Sequence, residues 1–109
     1  MGESFKNLWC DSKDDVPANT LKAVDTIALS SFRVAEYLVL FIGGSPEKTK
    51  SLKLNLRKTD SNIETQVYAR SGDLLAVGID AVINGANAEL QVNNSEAFAI
   101  EVKFARLNL

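Results

Sequence analysis

From Leu52 to the end of the chain, apolar and polar residues alternate with a period of two, the spacing of a strand that buries one face. Ser51-Leu52-Lys53-Leu54-Asn55-Leu56-Arg57 sets three leucines on one side and polar side chains on the other. Ile63 to Ala69 alternates again, and Leu75, Val77, Ile79 and Ala81 share one face of the next run. Ala88 to Val92 follows, and the last run sets Phe98, Ile100, Val102 and Phe104 inward against outward Glu101 and Lys103. Turn-forming residues separate the runs: Gly43-Gly44-Ser45-Pro46, Lys58 to Asn62, Ser71-Gly72-Asp73, Asn84-Gly85-Ala86-Asn87 and Asn93 to Glu96. Asn84-Gly85 is the strongest of these signals, because both residues tolerate the positive φ of a tight hairpin. Short strands at this spacing predict an all-β fold, an antiparallel β-sandwich or jelly-roll-like domain of about seven or eight strands.

The first part of the chain is less regular. Leu21, Val24, Ala28 and Phe32 have helical spacing, yet Val24-Asp25-Thr26-Ile27 and Val34 to Ile42 are rich in the β-branched and aromatic residues that favour strands. Two strands joined by an irregular Ser30-Ser31-Phe32-Arg33 link are expected. Tyr37-Leu38-Val39-Leu40-Phe41-Ile42 is apolar at every position, which predicts a central strand covered on both sides. Residues 1–20 have no sustained period and are expected to form a short N-terminal arm, with the sandwich domain spanning 21–109. Phe5, Leu8 and Trp9 would share one face of a short helix, and an extended arm would present them equally well; Pro17 opposes a continuous helix.

Composition narrows the chemistry. At 109 residues the chain suits one domain, and its 12 basic and 14 acidic residues leave a net charge of -2. That balance opposes a nucleic-acid binder, which needs clustered Lys and Arg. No apolar run reaches the length of a bilayer span, so no membrane role is expected, and the chain has no visible secretory signal. A single cysteine, Cys10, excludes an internal disulfide, and the absence of histidine removes the commonest general base and metal ligand.

Motifs that superficially suggest chemistry fail on their own requirements. Gly43 to Thr49 lacks the Gly before Lys48 that a phosphate-binding loop needs, and Pro46 lacks an N–H. Asp11, Asp14 and Asp15 do not have calcium-loop spacing. Glu64, Asp73, Asp80, Glu89 and Glu101 fall on different strands or turns, as solvated carboxylates usually do. The expectation is therefore of no catalytic, cofactor-binding or metal-binding residues, no cofactor, and no enzymatic activity.

Partner-binding features are more evident. Phe5, Leu8 and Trp9 lie ahead of the alternating pattern, either as interface anchors or folded back over the sandwich. Leu107 and Leu109 carry apolar character to the C-terminus, as a strand within the sheet or a subunit contact. These five are the candidate interface residues.

Phe32-Arg33-Val34-Ala35-Glu36-Tyr37-Leu38-Val39 resembles a recurring stretch of bacteriophage tail-fibre and other virion proteins, in which an aromatic-Arg pair precedes a Tyr-Leu-Val strand. Ser51 to Arg57, Ile63 to Tyr68, Leu74 to Ala81, Ala88 to Val92 and Glu101 to Arg106 continue the likeness in order, over roughly the last 85 residues. The resemblance implies a structural protein of the phage particle, made in the host cytoplasm. Such a protein would act by assembly with other virion proteins: capsid decoration, head–tail or baseplate component, or fibre domain. A closed homo-oligomer is expected, a trimer foremost. The alternative is a carbohydrate- or receptor-binding module at a fibre tip, for which Tyr68 is the one outward aromatic in a clear strand.

Overall fold

The computed structural model describes the backbone of residues 9–109 and the side chains from Ser12 onward. Among the described residues there are eight strands: β1 (Trp9–Val16), β2 (Thr20–Ala28), β3 (Val34–Gly43), β4 (Lys48–Lys58), β5 (Ile63–Gly72), β6 (Val77–Asn84), β7 (Asn87–Asn94) and β8 (Ile100–Asn108). A single 3₁₀ turn, Leu29–Ser31, forms the irregular link expected before Arg33. The strands make two antiparallel sheets, a five-stranded one in the order β1-β8-β3-β4-β5 and a three-stranded one in the order β2-β7-β6. The sheets pack face to face as a β-sandwich, as the alternation predicts.

The core holds the inward positions read from the sequence for β4, β7 and β8, joined by Val16, Ile27, Phe32 and one face of β3. Leu52, Leu54 and Leu56 of β4 meet Tyr37, Val39 and Phe41 of β3, Val102 and Phe104 of β8, and Leu90 and Val92 of β7, all buried. Burying each such side chain contributes about 1.5–3 kcal/mol, and together these positions outweigh the local irregularities of the strands. Of the shared face read for β6 and the residues before it, Leu75, Val77 and Ala81 are buried and Ile79 is half-buried, while Ala76 and Gly78 are exposed.

Residues 9–16, assigned from sequence to an arm, pair along their whole length with β8, from Trp9 opposite Leu107 to Val16 opposite Ile100. Val16 is completely buried. The polar run Ser12 to Asp15 hid this strand, because an edge strand has only one sheet neighbour and keeps water on its free side.

Two turns depend on glycine. In the β6–β7 hairpin the central residues are Gly85 and Ala86, between the paired Asn84 and Asn87, and the positive φ (61°) falls on Gly85. That places the glycine first in the loop, as a type II′ turn requires, rather than second in an Asn-Gly turn. Gly72 has φ 108°, and a Cβ there would lie 2.5 Å from the Thr49 carbonyl oxygen.

Polar groups close the rim of the sandwich. Asn94 is fully buried; its amide donates to the carbonyls of Val16 (3.2 Å), Pro17 (3.1 Å) and Phe98 (2.8 Å), and its oxygen accepts from the Glu96 N–H (2.9 Å). Along the β1–β2 side, Lys22 donates to Asp14 at 2.8 Å and holds that carboxyl below the usual carboxylate range.

Candidate interaction surface

The outer face of the five-stranded sheet departs furthest from what a solvated sheet presents. β3 is its middle strand, and the inward set Ala35, Tyr37, Val39 and Phe41 is buried. The alternate residues Leu38, Leu40 and Ile42 therefore point away from the small sheet. Among the described residues nothing covers them fully: Leu38 is 47% exposed at the centre of the face. Among those residues the expectation of cover on both sides of this strand is met on one side, by the second sheet.

Register sets the neighbours of these leucines. Leu38 lies opposite Ala105 of β8 and Lys53 of β4, and Leu40 lies opposite Lys103 and Ser51. Lys13 of β1 is opposite Lys103, and Tyr68 of β5 is opposite Lys53. Leu38, Leu40 and Ala105, with Lys13, Ser51 and Lys103, line a shallow groove of about 690 Å³. Both signs of charge surround it. Glu101 pairs with Lys13 at 3.3 Å and with Lys103 at 3.8 Å, and Glu36 accepts from the Asn55 amide at 2.8 Å. Arg57 and Glu64 pair across β4 and β5.

The sequence-derived interface residues divide. Phe5 and Leu8 lie outside the described residues, and Trp9 is described by its backbone, which pairs with Leu107. Leu107 is half-buried in β8, opposite Glu36. The Leu109 backbone continues the sheet by exchanging hydrogen bonds with Val34, and its side chain is 70% exposed. Alternation from Ala105 sets Leu107 and Leu109 on the same outer face as Leu38. Leu38 and Leu40 were missed as interface candidates, although a strand apolar at every position was the signal for them.

A second cluster lies between the sheets. Asp25 of β2 accepts from Arg106 of β8 at 2.6 Å and from the Tyr37 hydroxyl of β3 at 2.7 Å. Both charged side chains are only 17% exposed. A bulge at Val24 shifts the pairing so that Asp25 lies opposite the inward residue Leu90, which turns the carboxylate into the sandwich. Burial, and then the neighbouring Asp25 carboxylate, push the Tyr37 phenol far above its ordinary value. The cluster ties three strands across two sheets. Among the described residues no group of His, Cys, Asp and Glu is placed to hold a metal ion, and no helix is long and apolar enough to cross a membrane.

No family model matches the sequence, and no curated protein matches it. Solved structures do share the fold. The tailspike protein of Acinetobacter phage vB_ApiP_P1 superposes with a TM-score of 0.54 at 11% identity, over 92% of this chain and 21% of the tailspike. The tailspike of Acinetobacter baumannii bacteriophage Fri1, described as a capsular polysaccharide depolymerase, gives 0.49 at 15% identity, over 92% of this chain and 17% of its own. The tailspike of Acinetobacter baumannii phage AM24 gives 0.43 at 6% identity, over 93% and 26%. These structural neighbours are phage tail appendages, and the chain spans about a fifth of their length.

One expectation is corrected at this point. The sequence alone predicts a non-enzymatic chain, whereas one of these neighbours, the Fri1 tailspike, is described as a capsular polysaccharide depolymerase. That prediction rests on the absence of histidine and of metal-ligand spacing, and on Glu64, Asp73, Asp80, Glu89 and Glu101 falling on different strands or turns. Glycosidic bonds are cleaved by paired carboxylates without histidine or a metal, and in a modular protein they need not lie in the same domain.

Proposed function

We propose that this chain is a β-sandwich module of a phage tail appendage, of the tailspike or fibre kind, that works in the virion by assembling with other copies of itself and with other virion proteins. The observation that carries this reading is the superposition of 92% of the chain on part of a phage tailspike at a TM-score of 0.54. The outer face of the large sheet supports it, because an apolar central strand left open to water is the kind of patch that marks a protein contact. Closed symmetry is the ordinary outcome when identical modules meet, and a trimer is the expected form.

The test is to locate the protein in the particle. Purified phage probed with antibody against this chain, or separated into heads and tails and digested for mass spectrometry, should carry it in the tail fraction. Finding it in heads alone, or only in the lysate, would overturn the assignment.

A further inference from the structure

We infer that the outer face of the five-stranded sheet is the contact between copies of this chain, a neighbouring copy packing its own outer face against it around the symmetry axis. The inference rests on the assembly role proposed above and adds its surface and partner.

The two sheets offer a direct comparison. In the small sheet the middle strand, β7, turns Glu89, Gln91 and Asn93 away from the buried Ala88, Leu90 and Val92, as a water-facing sheet should. In the large sheet the corresponding positions of β3 are Leu38, Leu40 and Ile42. The same alternation rule therefore gives a solvated face on one side of the molecule and an apolar one on the other. Leu107 and Leu109 extend the apolar character along β8.

Size and charge point to the chain's own copy. Five strands of eight to eleven residues form a face of roughly 24 by 33 Å, near the ~800 Å² that each partner contributes to a standard interface. Among the described side chains this face carries, by register, Lys13, Lys53, Arg57 and Lys103 together with Asp15, Glu36, Glu64 and Glu101. This balance of the two signs around an apolar centre suits contact with an identical copy, whereas a rim of one sign would repel it. A strongly charged partner would meet no matching field here.

Sedimentation equilibrium of the full chain at micromolar concentrations tests this. The expected result is three times the chain mass, the trimer proposed above. Leu38→Lys and Leu40→Glu should each convert it to monomer with the β-sheet circular-dichroism spectrum retained, and Gln91→Lys on the opposite face should leave the oligomer intact. Should the charged variants fail to fold, the milder pair Leu38→Ser and Leu40→Ser should weaken association at least about tenfold. A monomeric wild type, or an oligomer unaffected by the Leu38 and Leu40 changes, would overturn the inference. The two readings fail separately. A tail-located but monomeric protein would mean that the face meets a different virion protein. An oligomer absent from the tail would leave the interface standing and remove the appendage role.

Discussion

Tyr37 shows how a residue takes its role from its surroundings. In sequence it belongs to an apolar run, and its ring is buried with the core. Its hydroxyl reaches Asp25, which also holds Arg106, so one carboxylate satisfies a phenol and a guanidinium from the opposite sheet. Breaking such a buried pair from one side leaves an uncompensated charge, which is costlier than the pair's net contribution to stability. The phenol pKa is raised by burial and then by the carboxylate, so the folded protein retains a proton that the unfolded chain releases near pH 10. The associated stability is complete below that pH and is lost as pH rises beyond it. Tyr37→Phe should cost about 1 kcal/mol at neutral pH through the lost hydrogen bond. It should also flatten the alkaline limb of the stability curve, measured by urea unfolding between neutral pH and pH 11. An alkaline limb as steep as the wild type's would show that other groups set it.

At the scale of the element, the strands follow the alternation and the turns follow glycine, with unequal consequences. Gly72 and Gly85 both have positive φ, but only at Gly72 would a Cβ strike backbone, at the Thr49 carbonyl. Around Gly85 a Cβ would meet nothing within 4 Å. Gly85→Ala should therefore cost about 1 kcal/mol, the price of a left-handed alanine, and Gly72→Ala about 2–3 kcal/mol or more, because β4 and β5 must also separate. Equal losses in chemical denaturation would show that steric contact adds nothing at Gly72. The core faces of β4, β7 and β8 were legible from Leu52-Leu54-Leu56, Ala88-Leu90-Val92 and Ile100-Val102-Phe104. The strand β1 was not, since Ser12 to Asp15 has no apolar period and owes its conformation to pairing with β8. The bulges were equally hidden. Val24 in β2, and Ala69 with Arg70 facing Leu52, are extra residues whose position depends on the partner strand.

For the whole molecule, the first and last strands lie side by side, so the N-terminal region is part of the structural frame. Deleting residues 1–16 would remove β1 with the buried Val16 and expose the β8 edge. An unprotected edge invites association with other strands. The truncated protein should lose several kcal/mol of stability and aggregate, seen as a lowered melting temperature and light scattering. If it stays soluble and melts like the full chain, β1 is dispensable and the segment acts as a separable arm. The interface candidates were partly legible for the same reason. Leu107 and Leu109 were chosen for their place near the chain end, yet what unites them with Leu38 is the sheet register.

The alternation of side chains by itself determined that this chain folds as antiparallel strands, which side of each regular strand is buried, and where the main turns fall, because period and turn chemistry are local properties. Only the tertiary structure decided which strands are neighbours, that β1 joins the sheet, that Asp25 meets Arg106 and Tyr37, and which side of the apolar β3 lacks cover. Those depend on contacts between residues far apart in the chain, such as the 81 positions separating Asp25 from Arg106. A strand apolar on both faces announces that both will be covered. Among the described residues the fold supplies one cover, the small sheet.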